Sequence, residues 1–466
     1  MRGIRGDGLW EFSMPSADTR HVYLTRLELH NVRSFGGTQV LELTDSTGKP
    51  ARWTLVIGEN GVGKTTLLQC LAMMRPILAN KPDAANAGAP DHIEPDLFNR
   101  ENDEIEDLAR VGETEVSLKA DFVAGHVLGK PGGRMQKLAT EASFTMKGEE
   151  LDTVDHSSIR KPSFVEPLVI GYGAARHVSD RTGEIINVQD EATASLFDPT
   201  LALADAQQIL EELDYAAFKK RPHAAALLES VKAALVTLLP DVPNAAAISL
   251  YGPATPGSKG QKTGVQIVTP YGEVPLYSLS LGYQTMTAWA VDLAWRLYQH
   301  FPDADDPLAE PAIVLIDELD LHLHPRWQRE LRGHMSVAFP QVQFIATAHS
   351  PLLAQSYLDT NIAVVREEEG QAVILNDPEV IRTWRIDELM TSVLYDLDSP
   401  YSPEVTRDLA RRTKLLQKTR LSPAEKEELA RLQDLAASLS VAPTPEDQGA
   451  LDILRRAAKL IEPVKQ

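Results

Sequence analysis

Residues 58–65 read Gly58-Glu59-Asn60-Gly61-Val62-Gly63-Lys64-Thr65, a fit to the pattern G-x-x-x-x-G-K-[ST]. Glycines at three of these positions let the backbone turn so that its N–H groups face inward, forming a cradle for phosphate oxygens. Lys64 supplies a cation for β and γ oxygens, Thr65 a hydroxyl for Mg2+, and the helix start a positive dipole. Taken alone, the stretch could be a glycine turn before a helix. Its context argues for the cradle, because Trp53 to Ile57 reads as a short buried strand and Thr65 to Met74 as an apolar helix. That arrangement commits the chain to an α/β sheet with a nucleotide at one edge.

A second segment supplies the acids such a site needs. Ala312-Ile313-Val314-Leu315-Ile316 is the apolar run of a strand buried on both faces, and Asp317-Glu318 follow at its end. Asp317 is expected to orient Mg2+, and Glu318 to polarise an attacking water as general base. The alternative is a strand that ends in two solvated acids. His349, in Phe344-Ile345-Ala346-Thr347-Ala348-His349, closes another apolar strand and reads as a γ-phosphate sensor or as a polar terminus. Asp320, His322 and His324 invite a metal reading, since His-x-His can chelate; zinc is disfavoured because no third ligand joins the two histidines, and an ordered interface loop fits better. Ser280 and Gly282, in Leu279-Ser280-Leu281-Gly282-Tyr283, open a helix with an apolar stripe at Met286, Trp289, Ala290, Leu293 and Leu297. They read as a cap or as half of a nucleotide site.

Along the chain, His21 to Leu43 reads as two antiparallel strands either side of Asn31-Val32-Arg33. Further strands are expected at Glu113–Phe122, Arg134–Phe144, Leu168–Tyr172, Ala247–Tyr251 and Gly264–Thr269. The stretch from about Ala192 to Leu239 reads as helical. Ser402-Pro403, Ser422-Pro423 and Thr444-Pro445 each read as a cap followed by proline at the first helical position, so 386–466 is expected to be a helical appendage.

Charge narrows the partners. Forty-six Lys and Arg face 66 Asp and Glu, a formal net charge of -20, which disfavours general nucleic-acid binding. The segment carrying Arg407, Arg411, Arg412, Lys414, Lys418 and Arg420 reads first as a solvated helix face and second as a contact surface. One cysteine, Cys70, excludes an internal disulfide and reads as core in a reducing cytosol. No apolar run is long enough for a membrane span, and residues 1–20 lack a secretory signal's apolar centre, so they read as a flexible extension of a cytoplasmic protein.

With these motifs in order, the chain resembles ABC-type ATPases of the SMC/RecF-like branch. Asn31-Val32-Arg33-Ser34-Phe35 matches their N-x-R-S-F opening, GENGVGKT their Walker A and IVLIDE their Walker B. LHLHP matches their D-loop region, ATAHSP their switch histidine, and Leu279 to Tyr283 their L-S-G-G-Q signature. Leu281 replaces the first signature glycine and Tyr283 the glutamine. No residue is assigned to their glutamine loop, although Gly171 to Arg176 looks like a segment that borders the site.

Within the branch the arrangement resembles the PtuA-type ATPases of Septu and retron anti-phage systems. The overcoming-lysogenisation-defect type carries a C-terminal nuclease domain that Asp396-Leu397-Asp398 only imitates. The resemblance implies an ABC-ATPase head: a mixed P-loop sheet with an antiparallel N-terminal lobe over 21–380, with insertions at about 78–165 and a helical one at about 190–245. It implies ATP and Mg2+ on Arg33, Gly58, Glu59, Asn60, Gly61, Val62, Gly63, Lys64, Thr65 and Thr66, with metal at Thr65 and Asp317. Catalysis would fall to Glu318 and His349, and Asp320 would be the D-loop acid. Ser280 and Gly282 would reach the ATP of a second copy in a head-to-tail dimer or larger homo-oligomer. An HNH-type nuclease would be the partner effector, with DNA or a phage component as a possible signal and no membrane involvement. A RecF-like repair ATPase, an ATP-regulated scaffold and a transporter subunit are the alternatives, the last disfavoured by the N-x-R-S-F opening.

Overall fold

The computed structural model describes residues 21–439, apart from 80–91, 100–101, 127, 129–134, 149, 158, 161–164, 175–176, 179–191, 204, 222, 240–241, 253–263, 271, 356–359, 377–389, 392–398 and 419. Residues 1–20, Arg176, the Asp396–Asp398 pair and Thr444-Pro445 therefore lie outside the described residues. The chain divides into two compact units, Met1–Leu389 and Met390–Gln466.

In the first unit, β1 (Val22–Val32) and β2 (Phe35–Glu42) form a hairpin, and β3 (Trp53–Gly58) runs through the glycine loop into α1 (Lys64–Met73). β4 (Glu115–Ala124), β5 (Gln136–Lys147) and β6 (Glu150–Ser157) form a meander, and β7 (Val169–Tyr172) follows. Helices α2 (Ala206–Phe218) and α3 (Ala224–Leu238) precede a small sheet of β8 (Ile248–Tyr251), β9 (Gly264–Thr269) and β10 (Gly272–Pro275). Then come α4 (Leu281–His300), β11 (Ala312–Ile316), α5 (Pro325–Ala338), β12 (Val342–Ala348) and the hairpin β13 (Asn361–Glu368) and β14 (Gln371–Asn376).

Two sheets hold the nucleotide elements. The antiparallel one runs β2-β1-β4-β5-β6, and the mixed one runs β7-β11-β12-β3-β13-β14. In the mixed sheet, β7, β11, β12, β3 and β13 are parallel and only β14 is antiparallel. The strands that end in the glycine loop, the acidic pair and His349 are thus neighbours and finish on one edge.

Helix α1 lies in the core shared by both sheets. Leu67, Leu68 and Leu71 of α1 pack in one cluster with Leu27 and Leu29 of β1, Leu118 and Phe122 of β4, and Ile313 and Leu315 of β11. From Thr66 onward α1 is buried on every side, since a helix clasped by two sheets has no solvent face there. Each such leucine contributes about 1.5–3 kcal/mol on burial.

Cys70, fully buried in α1, has its thiol pushed up to about 12 by burial, with a small opposing pull from Arg33. We expect no reaction of the native chain with a thiol reagent at pH 8 and full reaction in denaturant. Rapid native labelling would contradict the placement of α1.

Several strands match the sequence reading within a few residues, and the hairpin β1–β2 turns at Arg33-Ser34. Other parts differ. The stretch 192–205 is not one helix: a 3-10 turn at Ala194–Leu196 is followed by a short strand, Ala202–Leu203, paired with His177–Val178. Asp198 accepts hydrogen bonds from Thr200 and Asp205 caps α2 through Gln207 N–H at 2.8 Å, the local competition with helix expected of aspartate. The strands β13 and β14, which the sequence reading omitted, meet at Glu369-Gly370. Both of these residues are left-handed (φ 52° and 79°), as a tight hairpin turn requires.

In the second unit, α6 (Pro403–Leu416) and α7 (Pro423–Ser438) pack as a pair, capped by Ser402 and by the reciprocal Ser422/Glu425 box. Two of the basic residues of this segment are engaged with the partner helix of the pair. Arg411 makes a two-pronged bond to Glu428 (3.0 and 2.9 Å), and Lys418 reaches Glu425 at 2.6 Å. The solvated-face reading of this segment fits that pairing better than a free cationic patch does.

Candidate nucleotide site

The loop after β3 has the backbone a phosphate cradle needs. Gly61 and Gly63 are left-handed (φ 80° and 100°), where an L side chain costs roughly 1–2 kcal/mol. A Cβ on Gly63 would also strike the Ser34 hydroxyl and the Phe35 ring, and one on Gly58 the Val365 carbonyl. Ser34 donates to the Val62 carbonyl at 3.2 Å, so the N-x-R-S-F segment braces the loop from behind. Glu59, Asn60, Gly61 and Thr65 are exposed. Helix α1 begins with no capping side chain and no acid in its first turn, which leaves its N–H groups and dipole to an anion. Thr66 is buried in that turn.

Lys64 folds back over the loop, donating to the carbonyls of Gly58 (2.9 Å) and Glu59 (2.6 Å). Burial pushes its ammonium below the ordinary lysine value, while the carboxylates of Asp317, Glu318, Asp320 and Glu59 pull it up. A phosphate entering the cradle would exchange two carbonyl partners for anionic oxygens, which bind an ammonium more strongly.

The acidic pair is tied to the loop. Asp317 Oδ2 accepts the Thr65 hydroxyl at 2.7 Å and Oδ1 accepts the Thr347 hydroxyl at 2.6 Å. The Thr65 hydroxyl and the Asp317 carboxylate are hard oxygen donors side by side, a set that fits Mg2+, which keeps most of its remaining shell as water. Thr347 also accepts the Glu318 N–H at 2.7 Å, and its carbonyl accepts Leu319 N–H at 2.8 Å. Glu318 is left-handed (φ 50°) although it has a side chain. Thr347 holds that strained turn at the strand's end, and Glu318 itself is partly exposed. Strain of this kind collects at functional sites. Thr347 is the residue the sequence reading missed; the available signal was one hydroxyl in the otherwise apolar run Phe344 to Ala348.

His349 lies at the end of β12, and its backbone N–H donates to both Asp320 oxygens at 3.2 Å. Asp320 therefore fixes the segment that carries the histidine. His324 caps α5, its Nδ1 accepting Arg326 N–H at 3.2 Å, so it serves structure. Arg33 donates from Nε to the Asp107 carbonyl (2.9 Å) and from Nη1 to Gln69 Oε1 (2.6 Å), which ties it to the loop before β4 and to α1. Gly171 to Gly173 do border the acidic pair, because the Tyr172 carbonyl accepts Asp317 N–H at 2.8 Å.

Ser280 and Gly282 have their own neighbours. Gly282 packs so closely that an added Cβ would lie 2.8 Å from the His322 carbonyl. The Tyr283 ring meets Trp327 edge-on, with centroids 4.6 Å apart, which gives a local reason for tyrosine at that position. Ser280 stands at the N-cap of α4, but its side chain makes no capping bond, contrary to the cap reading. No acid lies in the first turn. Ser280 and Leu281 are exposed, so the start of α4 lies at the surface.

Two family models match: "AAA domain" over 26–161 and "AAA domain, putative AbiEii toxin, Type IV TA system" over 246–354. The Septu protein PtuA of Bacillus mycoides is 27% identical over 418 residues, covering 88% of this chain and 50% of that protein. The chain carries two AAA-domain matches and resembles PtuA over most of its length. It is also similar to the retron Ec83 probable ATPase of Escherichia coli, 28% identical over 46% of this chain and 38% of that one. The chain thus spans half or less of these relatives' lengths. Among solved structures, the SMC head domain from Thermotoga maritima is similar at TM-score 0.38 and 14% identity, covering 76% of this chain and 98% of that one. Among the described residues, no helix is long and apolar enough to cross a membrane.

Proposed function

We propose that the chain binds and hydrolyses ATP as one half of a head-to-tail dimer, and that this cycle switches a partner effector in anti-phage defence. The network Thr65–Asp317–Thr347–Glu318 carries the proposal, since it joins the phosphate cradle to two carboxylates with distinct surroundings. Mg2+ bound there would neutralise charge on the phosphates. Gly58 to Thr65 hold the triphosphate, Lys64 meets its β and γ oxygens, and Thr65 and Asp317 orient the metal's shell. Glu318 takes the proton of the attacking water, and His349 contacts the γ-phosphate side.

The start of α4, uncapped and exposed at Ser280, suits the γ-phosphate of a second copy. Nucleotide then acts as a shared contact, and its hydrolysis removes the contact that favours the closed pair. The likeness to Septu and retron ATPases supports the defence setting; the effector we propose for it is a nuclease of HNH type.

A site completed by a second copy makes turnover depend on protein concentration. ATP hydrolysis per chain is expected to rise with concentration and then saturate, with dimers forming only when nucleotide is present. Hydrolysis per chain that stays constant over a hundredfold dilution, from a chain that remains monomeric, would overturn the composite site.

A further inference from the structure

Helix α4 is anchored to the acidic pair at a second point, remote from Ser280. Tyr172 ends β7, and its carbonyl accepts the Asp317 N–H at 2.8 Å. Its phenol, on a ring that is fully buried, donates to Asp292 Oδ2 at 2.8 Å. Arg296, one turn further along α4, donates to the same oxygen at 2.7 Å. Trp289, one turn before, packs edge-on against the Tyr172 ring at 5.8 Å and 87°. One residue therefore holds the acidic strand by its backbone and α4 by its side chain.

The other anchor is Gly282 against the His322 carbonyl, in the loop that leaves the acidic pair. Gly282 and Asp292 are ten residues apart, about 15 Å of helix. A regular helix over that distance moves as a rod, so a shift at its start is felt at Asp292. A hydrogen bond weakens steeply once its angle falls below about 120°, so a rotation of α4 disturbs the Tyr172–Asp292 bond. Asp292 is fully buried, and a core carboxylate is costly unless its partners are held in place. An apolar residue could fill the same space, so packing alone does not account for it.

We infer that Tyr172 and Asp292 form a positioning pair, which ties the placement of α4, and so of Ser280 at its start, to that of Asp317 and Glu318 in the same chain. The pair rests on the proposed function, because α4 matters to turnover only if its start meets the neighbour's nucleotide. Tyr172 and Asp292 touch no nucleotide and act through Asp317.

The test is steady-state hydrolysis by the full chain carrying Tyr172→Phe, which deletes one hydroxyl and keeps the ring. Its kcat is expected to fall roughly 10–100-fold, the usual cost of losing an outer-shell partner. KM for ATP should stay within about twofold of the unsubstituted chain, since the phosphate cradle of the same chain is not altered. Asp292→Asn, which keeps an oxygen for the phenol, should retain most of the kcat that Asp292→Ala loses. If Asp292→Ala fails to fold, the comparison of Tyr172→Phe with Asp292→Asn decides.

Equal kcat in Tyr172→Phe and the unsubstituted chain overturns the pair while leaving the ATPase reading intact. So does a parallel loss of ATP binding, which marks a purely structural role. Absence of turnover in the unsubstituted chain overturns the functional reading first, and the pair's role with it.

Discussion

Replacing Glu318 by Gln is expected to lower ATP turnover by about 10²–10⁴-fold, the usual contribution of a positioned general base. Glutamine keeps the shape of the side chain and cannot take a proton, so ATP affinity should stay close to that of the unsubstituted chain. The backbone supports this separation. Glu318 is held left-handed by its own N–H on Thr347 and by Leu319 on the Thr347 carbonyl, neither of which involves the carboxyl. With binding intact and hydrolysis blocked, the variant should accumulate as an ATP-bound dimer, visible by light scattering. Turnover equal to the unsubstituted chain would remove Glu318 from the base role. A variant that binds ATP and remains monomeric would remove the sandwich.

Lys64→Ala is expected to fail earlier, at binding. A charge-assisted contact to phosphate is worth about 2 kcal/mol, or roughly 30-fold in affinity. Turnover should fall further, because charge on the leaving phosphate oxygens is then met by fewer donors, at a cost of about 10²–10³-fold. Lys64 also links the Gly58 and Glu59 carbonyls, so the loop loses an internal tie. The melting transition should move little, since β3 and α1 are held by buried leucines rather than by the lysine. Nucleotide titration followed by calorimetry reads the affinity directly. Wild-type affinity in Lys64→Ala would mean the nucleotide lies elsewhere.

The parts of this site legible in the sequence are the local ones. Glycine spacing before Lys64 reports a backbone turn that only glycine tolerates, and an apolar run ending in Asp317-Glu318 reports a buried strand reaching a sheet edge. Each signal is complete within about ten residues. Thr347, Tyr172 and His322 were not legible in this way, because their roles come from pairings across the sheet: Thr347 with Asp317, Tyr172 with Asp292, and the His322 carbonyl with Gly282. Nothing in a window around any of them announces its partner.

The Ser280 cap reading failed for a related reason. Serine before a helix is a sound cap signal, but Gln284 turns back to the carbonyls of Tyr277 and Leu279 and shapes the approach to the helix. The Ser280 side chain makes no capping bond. The hairpin at Glu369-Gly370 could have been found, since two apolar runs flank a two-residue turn containing glycine.

The most direct measurement mixes two inactive chains. Lys64→Ala disables a chain's own phosphate loop, and Ser280→Arg blocks the start of its α4. In a head-to-tail pair built from one of each, one site carries both defects and the other carries neither. An equimolar mixture should therefore recover about a quarter of unsubstituted turnover, because half the dimers are mixed and each keeps one of two sites. A mixture no more active than its two components would contradict a site shared between copies.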